Sequence, residues 1–393
     1  MLGLIQLPWW GYLLVLLGFT QLTILSVTIY LHRCQAHRSV DLHPIVSHIF
    51  RFWLWVSTGM VTKEWTAIHR KHHARVETDE DPHSPQTRGI KKVFFEGAEL
   101  YRKEATNAET MERYGEGTPD DWMERNVYTK HSMLGILSML ATNIILFGPL
   151  GLTIWALQMG WIPFFAAGVV NGIGHFWGYR NYESKDASRN VVPLGIFIGG
   201  EELHNNHHAF ASSAKFSAKW WEVDAGWMVI RTLQVFGLAK PKRKVPEIKV
   251  IPDKTSIDSD TLTALITYRL QVMARYTRDV MLPALREEKK RATNDANKSL
   301  LDSDAETALV REASIMHPSH RAKLAKVLEH FQSLRVLYQF RLKLQDIWSR
   351  STASQKELLD ALHEWCQQAE ATRIETLHNF ARRLKTYVPQ EAR

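Results

Sequence analysis

Residues 1–32 contain no Lys, Arg, Asp or Glu, and neither do residues 131–179, whereas residues 241–393 are densely charged. A helix with no polar side needs apolar surroundings all round, which a bilayer supplies and water does not. The pattern therefore predicts membrane-spanning helices in the first part of the chain and a soluble region after them. Whole-chain mean hydropathy is mildly negative because it averages the two parts.

The first uncharged run suggests a span over 8–31, against the roughly 20 residues that cross a hydrocarbon core. No Lys or Arg precedes it and no Ala-x-Ala site follows it, so it reads as a retained span rather than a cleaved leader. Arg33 is the first basic residue, which places the N-terminus outside and Arg33 in the cytoplasm. The run 131–179 has room for two helices, expected at 133–155 and 161–178 with a turn at 158–160; Lys130 and Arg180 bracket it on the cytoplasmic side.

Residues 45–62 are apolar yet carry His48 and Arg51. A full crossing there would put the basic segment 63–130 outside, so the segment is expected to dip into the membrane or lie in its interface. Beyond Phe236 no long apolar run remains, and 256–384 shows mixed-charge helical patterning with breaks expected at Pro283 and Pro318. The expected fold is all-α: integral membrane helices carrying a cytoplasmic helical cap over 1–244, and a soluble helical C-terminal region over 245–393. Such a chain is expected to be a multi-pass inner-membrane protein in contact with membrane lipid, with its cap and C-terminal region in the cytoplasm.

The net charge of the 393 residues is +8, but basic residues alternate with acidic ones and no zinc-finger spacing or aromatic-interleaved basic motif occurs, so nucleic acid is not an expected partner. Cys34 and Cys366 lie far apart, which gives no disulfide framework and fits a reducing compartment.

Of 18 histidines, 13 precede residue 209, and most of these form three tight groups beside the expected membrane boundaries. The groups are His32-Arg-Cys-Gln-Ala-His37, His69-Arg-Lys-His72-His73 and His204-Asn-Asn-His207-His208. On a helix, H-x-x-H-H puts its side chains at i, i+3 and i+4 within an arc of about 100°, so each such set can converge on one metal. His32 and His37, at i and i+5, diverge by about 140° on a straight helix, which predicts a frayed or bent exit from the first span. A fourth element, Asn171-Gly-Ile-Gly-His175, closes the last span with its two polar side chains one turn apart.

The isolated histidines, His43, His48, His83, His131 and the five in the C-terminal region, read as ordinary surface or core residues. Eight clustered histidines, nine with His175, are too many for one zinc ion, which is usually satisfied by four ligands. They suit two iron ions, each held by four or five neutral imidazoles with positions left open for oxygen. Glu201-x-x-His204 and Glu375-x-x-His378 look like the Glu-x-x-His element of carboxylate di-iron bundles, but no further glutamates occupy matching positions.

The three groups, in this order and with these intervals, resemble the histidine boxes of the membrane fatty acyl desaturases. The likeness extends to His37-Arg38-Ser39, Glu64-Trp65, Asp81-Pro82-His83, Asn171 with His175, Gly178-Tyr179-Arg180 and Gly200-Glu201 before His204. These runs resemble the acyl-CoA Δ9, or stearoyl-CoA, branch over about residues 10–240. The resemblance implies that His32, His37, His69, His72, His73, His175, His204, His207 and His208 ligate iron, with Asn171 holding a water near one ion. Animal members of that branch carry an additional span before the first box and nothing like the region after residue 245, so the chain looks like a bacterial type with a helical C-terminal extension.

The implied reaction is O2-dependent insertion of a cis double bond, at Δ9, into a long acyl chain, with two Fe2+ as cofactors and O2 as co-substrate. No cytochrome b5 or flavin segment is visible, so electrons are expected from a separate reductase system of ferredoxin, flavodoxin or cytochrome type. Acyl-CoA is the expected carrier and phospholipid the alternative; Arg33, Arg38, Arg70, Lys71, Lys91 and Lys92 would suit CoA or, equally, lipid phosphates. A narrow apolar tunnel must select one methylene among many alike, with Trp53, Trp55, Trp65 and Phe176 as candidate linings. A hydroxylase built on the same site is a rival in chemistry. A non-enzymatic membrane metal-binding protein is a rival in kind, but it would carry its polar residues deep within the spans rather than at their ends.

Overall fold

The computed structural model describes residues 3–390, which are mostly helical. They form two compact units, one of residues 3–181 with 186–245 and the other of residues 182–185 with 246–390.

In the first unit, helix α1 (Trp9–Ala36) runs 28 residues. It is α-helical to Ser26 and π-helical over Val27–Ala36. The expected frayed exit is absent: the chain widens into i→i+5 bonding, with His37 N donating to His32 O at 3.0 Å. That geometry returns residues five apart to one face, which solves the divergence a straight α-helix would impose.

Helix α2 (Pro44–Thr58) leads through the left-handed Gly59 into α3 (Thr62–Arg75). Arg51 of α2 is buried, and donates to Asp121 Oδ2 at 2.6 Å and Glu124 Oε2 at 2.8 Å, so its charge is met inside the protein. Several short helices follow, among them α4 (Gly97–Ala105).

The second apolar run folds as α5 (Ser132–Phe147) and α6 (Pro149–His175), with the turn at Gly148, φ 62°, and not at 158–160. Gly-Pro supplies both the left-handed turn and the preset first helical residue. The two helices then touch closely: a Cβ on Gly151 would lie 1.9 Å from Asn143 O. Helices α1 and α6 are long and apolar enough to cross a membrane, whereas α5 is shorter. Helix α6 becomes π-helical over Pro163–Gly172 before a closing turn at Ile173–His175.

The unit is completed by α7 (His204–Ala209), α8 (Ala225–Val235) and two small strand pairs. Strand β1 (Val40–Leu42) pairs antiparallel with β4 (Ala239–Pro241), and β2 (Leu194–Gly195) pairs parallel with β3 (Val223–Asp224). Arg33 is fully buried, donating to Asp224 Oδ1 at 2.8 Å and Ala214 O at 3.0 Å with its guanidinium 3.8 Å above the Phe216 ring centroid. It is a tie between segments, not the exposed phosphate contact its sequence position suggested.

The second unit packs its helices around one apolar core that includes Leu265, Tyr276, Leu337, Trp365 and Phe380. Strand β5 (Lys249–Val250) pairs antiparallel with β6 (Tyr387–Val388). Pro283 does not break the chain. A π-helical stretch, Thr277–Met281, routes the Leu282 N–H to Thr277 O and helix continues over Leu282–Arg291. Pro318 opens Pro318–His330, where its missing N–H is harmless.

Candidate metal centre

The nine histidines meet, but not box by box. Ring nitrogens of His32, His37, His69, His73 and His207 lie within 4.8 Å of one another, and so do those of His72, His175, His204 and His208. Both H-x-x-H-H sets are therefore split: neighbours His72 and His73 point about 100° apart on α3, and each joins a different group. His207 and His208 divide the same way on α7.

Nε2 of His37 lies 2.9 Å from Nε2 of His69, Nε2 of His32 is 3.0 Å from Nε2 of His207, and His175 and His204 face each other at 3.0 Å. Two nitrogens at right angles about a metal, each bonded at about 2.1 Å, are about 3.0 Å apart. Burial, then the neighbouring imidazoles, hold His69, His73, His204 and His207 well below the ordinary histidine range. Neutral rings that turn lone pairs toward each other repel unless a cation sits between them. Nε2 of His72 and of His208 are buried without a hydrogen-bond partner. The donor set thus fits two metal ions, each with four or five imidazoles.

Carboxylates hold the outward nitrogens. Nδ1 of His32 donates to Glu201 at 2.7 Å and Nδ1 of His72 to Asp81 at 3.0 Å, while Nδ1 of His175 lies 3.4 Å from Glu77 and that of His208 3.5 Å from Asp186. Such partners fix the tautomer and aim the other nitrogen at the metal. Burial alone would raise the Asp81 carboxyl, but His72 and His83 more than reverse this and keep it well below the usual carboxylate range. Glu201, discounted in the sequence as a bundle look-alike, is thus part of the site. Glu77, Asp81 and Asp186 were not identified at all; the one available signal was the Asp81-Pro82-His83 run.

His83 is buried, stacked on His72 at 4.4 Å, and belongs with His72 and Asp81 to a third group of closely spaced ligand atoms. Asn205 and Asn206, between the third-box histidines, anchor α7: Asn206 donates to Glu222 at 2.8 Å, and Asn205 accepts from Asn181 N at 2.9 Å.

A cavity of about 420 Å³ opens beside the first group, with His32, His69 and Glu201 in its wall among Ile24, Ile68 and Phe165. Asn171 also lines it and belongs to neither histidine group. Of the aromatic residues expected there, Trp65 is present, stacked on His69 at 4.9 Å. Trp53 instead donates to Thr23, Trp55 donates to His131 O, and Phe176 is 55% exposed. Among the basic candidates, Arg70 is spent on the carbonyls of Gln35, Ala36, Tyr114 and Glu116, and Lys71 on Glu104, whereas Lys91 and Lys92 are exposed.

The family profile described as Fatty acid desaturase matches residues 7–234. Delta-9 acyl-lipid desaturase 1 of Arabidopsis thaliana is 32% identical over 219 residues, covering 55% of this chain and 70% of the relative. The sn-1 stearoyl-lipid 9-desaturase of Synechocystis sp. is 31% identical over 226 residues, 57% of this chain and 69% of the relative. Icosanoyl-CoA 5-desaturase of Limnanthes douglasii is 30% identical over 236 residues, 57% and 62%. A second profile, described as Transposase, matches residues 272–390, inside the C-terminal unit; no feature read from the sequence pointed to it. Among the described residues, all the metal-capable histidine and carboxylate groups lie in the first unit, within the span of the first match. This chain belongs to the fatty acid desaturase family, oxidoreductases that act on fatty acyl chains.

Proposed function

We propose that the chain is a di-iron, O2-dependent desaturase that places a cis double bond, at Δ9, in a long-chain acyl group carried as a CoA thioester. The observation that carries this reading is the apolar cavity whose wall includes His32 and His69. An unactivated methylene offers no handle to side-chain chemistry, and a metal pair held by the histidines would supply the O2 activation that its oxidation needs.

The protein's own residues do the rest. His32, His37, His69, His73 and His207 would hold one ion, and His72, His175, His204 and His208 the other, while Asn171 would hold a water from the cavity side. Glu201, Asp81, Glu77 and Asp186 keep each facing imidazole in the tautomer that leaves Nε2 free. Ile24, Ile68, Trp65 and Phe165 exclude water and confine the acyl chain. Residues 1–244 form the inner-membrane catalytic domain with its site on the cytoplasmic side. Residues 245–393 are a soluble extension, and electrons arrive from a separate reductase protein.

A phospholipid-bound chain is the second reading of the substrate. It is favoured by the engagement of Arg33, Arg70 and Lys71 inside the protein, which leaves fewer cations for CoA phosphates. The test is expression of the full chain in a host without its own unsaturated-acid synthesis, with mass spectrometry of CoA esters and phospholipids and metal analysis of the purified protein. Two irons per chain and a Δ9 alkene appearing first in CoA esters are expected. An alcohol product would make it a hydroxylase, and first appearance in phospholipid would select the second substrate.

A further inference from the structure

Besides Nε2 of His83, which stacks on His72, the cavity beside the histidines contains two polar groups, on α3 and α4, that the protein leaves unmatched. Glu64 reaches it from α3 and has no hydrogen-bond or ion-pair partner among the described residues. Tyr101 reaches it from α4, and its Oη is buried and unpartnered. Of the other polar wall residues, Glu201 is met by His32 and Thr28, and Thr58 by Leu54 O. The buried Tyr101 Oη without a partner costs about 1–3 kcal/mol, and with the half-buried Glu64 carboxyl in the same apolar wall it points to a guest that completes them.

Their chemistry says what kind of guest. Burial raises the Glu64 carboxyl above its ordinary value, and burial followed by the nearby Glu64 raises the Tyr101 phenol. A phenol donates, and so does a carboxyl that carries its proton, the form that burial of Glu64 favours; a carbonyl oxygen has two lone pairs to accept them. A hydrocarbon chain offers no such atom along its length, and its acyl carbonyl is the polar atom that enters with it.

We propose that Glu64 and Tyr101 form a clamp for the carbonyl oxygen of the acyl ester or thioester whose chain lies against the histidines. The clamp rests on the desaturase reading and deepens it by fixing register. Glu64 precedes His69 by five residues on α3, a rise of about 7.5 Å, so a chain gripped at its carbonyl is held at one distance from the metal end. Apolar walls alone would let it slide, because its methylenes are alike. Loss of the clamp therefore relaxes the position of the double bond as well as affinity.

The experiment uses full-length, iron-depleted protein in detergent. A fluorescent fatty acyl probe is displaced by methyl stearate, stearoyl-CoA, a distearoyl phospholipid or octadecane, which has the chain without the carbonyl. Wild-type protein should prefer the carbonyl-bearing chains by about tenfold, the worth of one to two net hydrogen bonds. Glu64→Leu and Tyr101→Phe should bring that ratio toward one with octadecane affinity unchanged, and Glu64→Gln, which still donates, should keep it. Stronger displacement by stearoyl-CoA or by phospholipid identifies which source supplies the carbonyl.

In iron-loaded protein, Glu64→Leu should spread the double bond over neighbouring carbons. Glu64→Leu and Tyr101→Phe variants that keep the wild-type carbonyl-to-alkane ratio and bond position overturn the clamp. A wild-type protein that makes no alkene overturns the desaturase reading instead, and the binding ratios still judge the clamp.

Discussion

Nδ1 of His32 donates to Oε1 of Glu201 at 2.7 Å across 169 residues of sequence, with both side chains buried. The bond turns Nε2 of His32 toward His207. Removing a carboxylate of this kind typically lowers metal affinity 10–100-fold. Glu201→Ala should therefore bind iron 10–100-fold more weakly while retaining wild-type helical content, measured by competitive metal titration beside circular dichroism. Wild-type affinity would show that packing alone orients His32.

The histidines were legible because metal ligation demands a residue type and a spacing that ordinary packing does not. Their assignment was not legible. The i, i+3, i+4 rule places His69, His72 and His73 on one broad face of α3, but two separate histidine groups divide that face, and the second half of each group arrives from α1, α6 and α7. The carboxylates were hidden for a related reason: Glu77, Asp81 and Asp186 stand outside regular helices, and their approach depends on loop paths that no periodicity encodes. In the fold, the turn at Gly148 was misplaced because an unbroken apolar run hides its own boundaries, although the Gly148-Pro149 pair was the stronger punctuation. The π-helical exit of α1 has no compositional mark, and only the i, i+5 spacing of His32 and His37 hinted at it.

Arg33 and Asp224 have side chains 0% and 1% exposed, and their bond joins α1 to the segment that opens α8. Asp224→Ala leaves a guanidinium buried without its counter-ion, a change that typically costs about 3–5 kcal/mol. The denaturation midpoint of the variant should fall accordingly in detergent. Arg33→Met with Asp224→Leu should recover much of the loss, because an apolar pair leaves no stranded charge. Failure of the double variant to improve on the single one would locate the cost in the other bonds of the two side chains, those that Arg33 donates to Ala214 O and Gly199 O and those that Asp224 accepts from Phe216 N and Trp227 N.

Cys366 is buried in the core of the C-terminal unit, and burial pushes its thiol up from 9.0 to about 12. At pH 8 it should resist alkylation in native protein and react only as that unit unfolds in urea, read by mass spectrometry of the Cys366 peptide. The folded thiol keeps its proton to a higher pH than the unfolded one. Its contribution to stability is therefore fully present below about pH 9 and is lost as pH rises toward 12. Rapid labelling of the native chain at pH 8 would contradict the burial.

His72 and His73 are adjacent in sequence yet fall in different groups, His73 with His32, His37, His69 and His207, and His72 with His175, His204 and His208. If each group holds one iron, variants should sort by group rather than by sequence neighbourhood. His72→Ala should resemble His208→Ala, and His73→Ala should resemble His207→Ala. Each variant should drop iron content from about two per chain toward one, and the two classes should keep spectroscopically different ions, measured by metal analysis and Mössbauer spectroscopy on 57Fe-loaded protein. The first group retains four imidazoles after His73→Ala and the second only three after His72→Ala, so the second class should lose its ion more completely. Identical spectra from His72→Ala and His73→Ala would mean that the second histidine box serves a single ion after all.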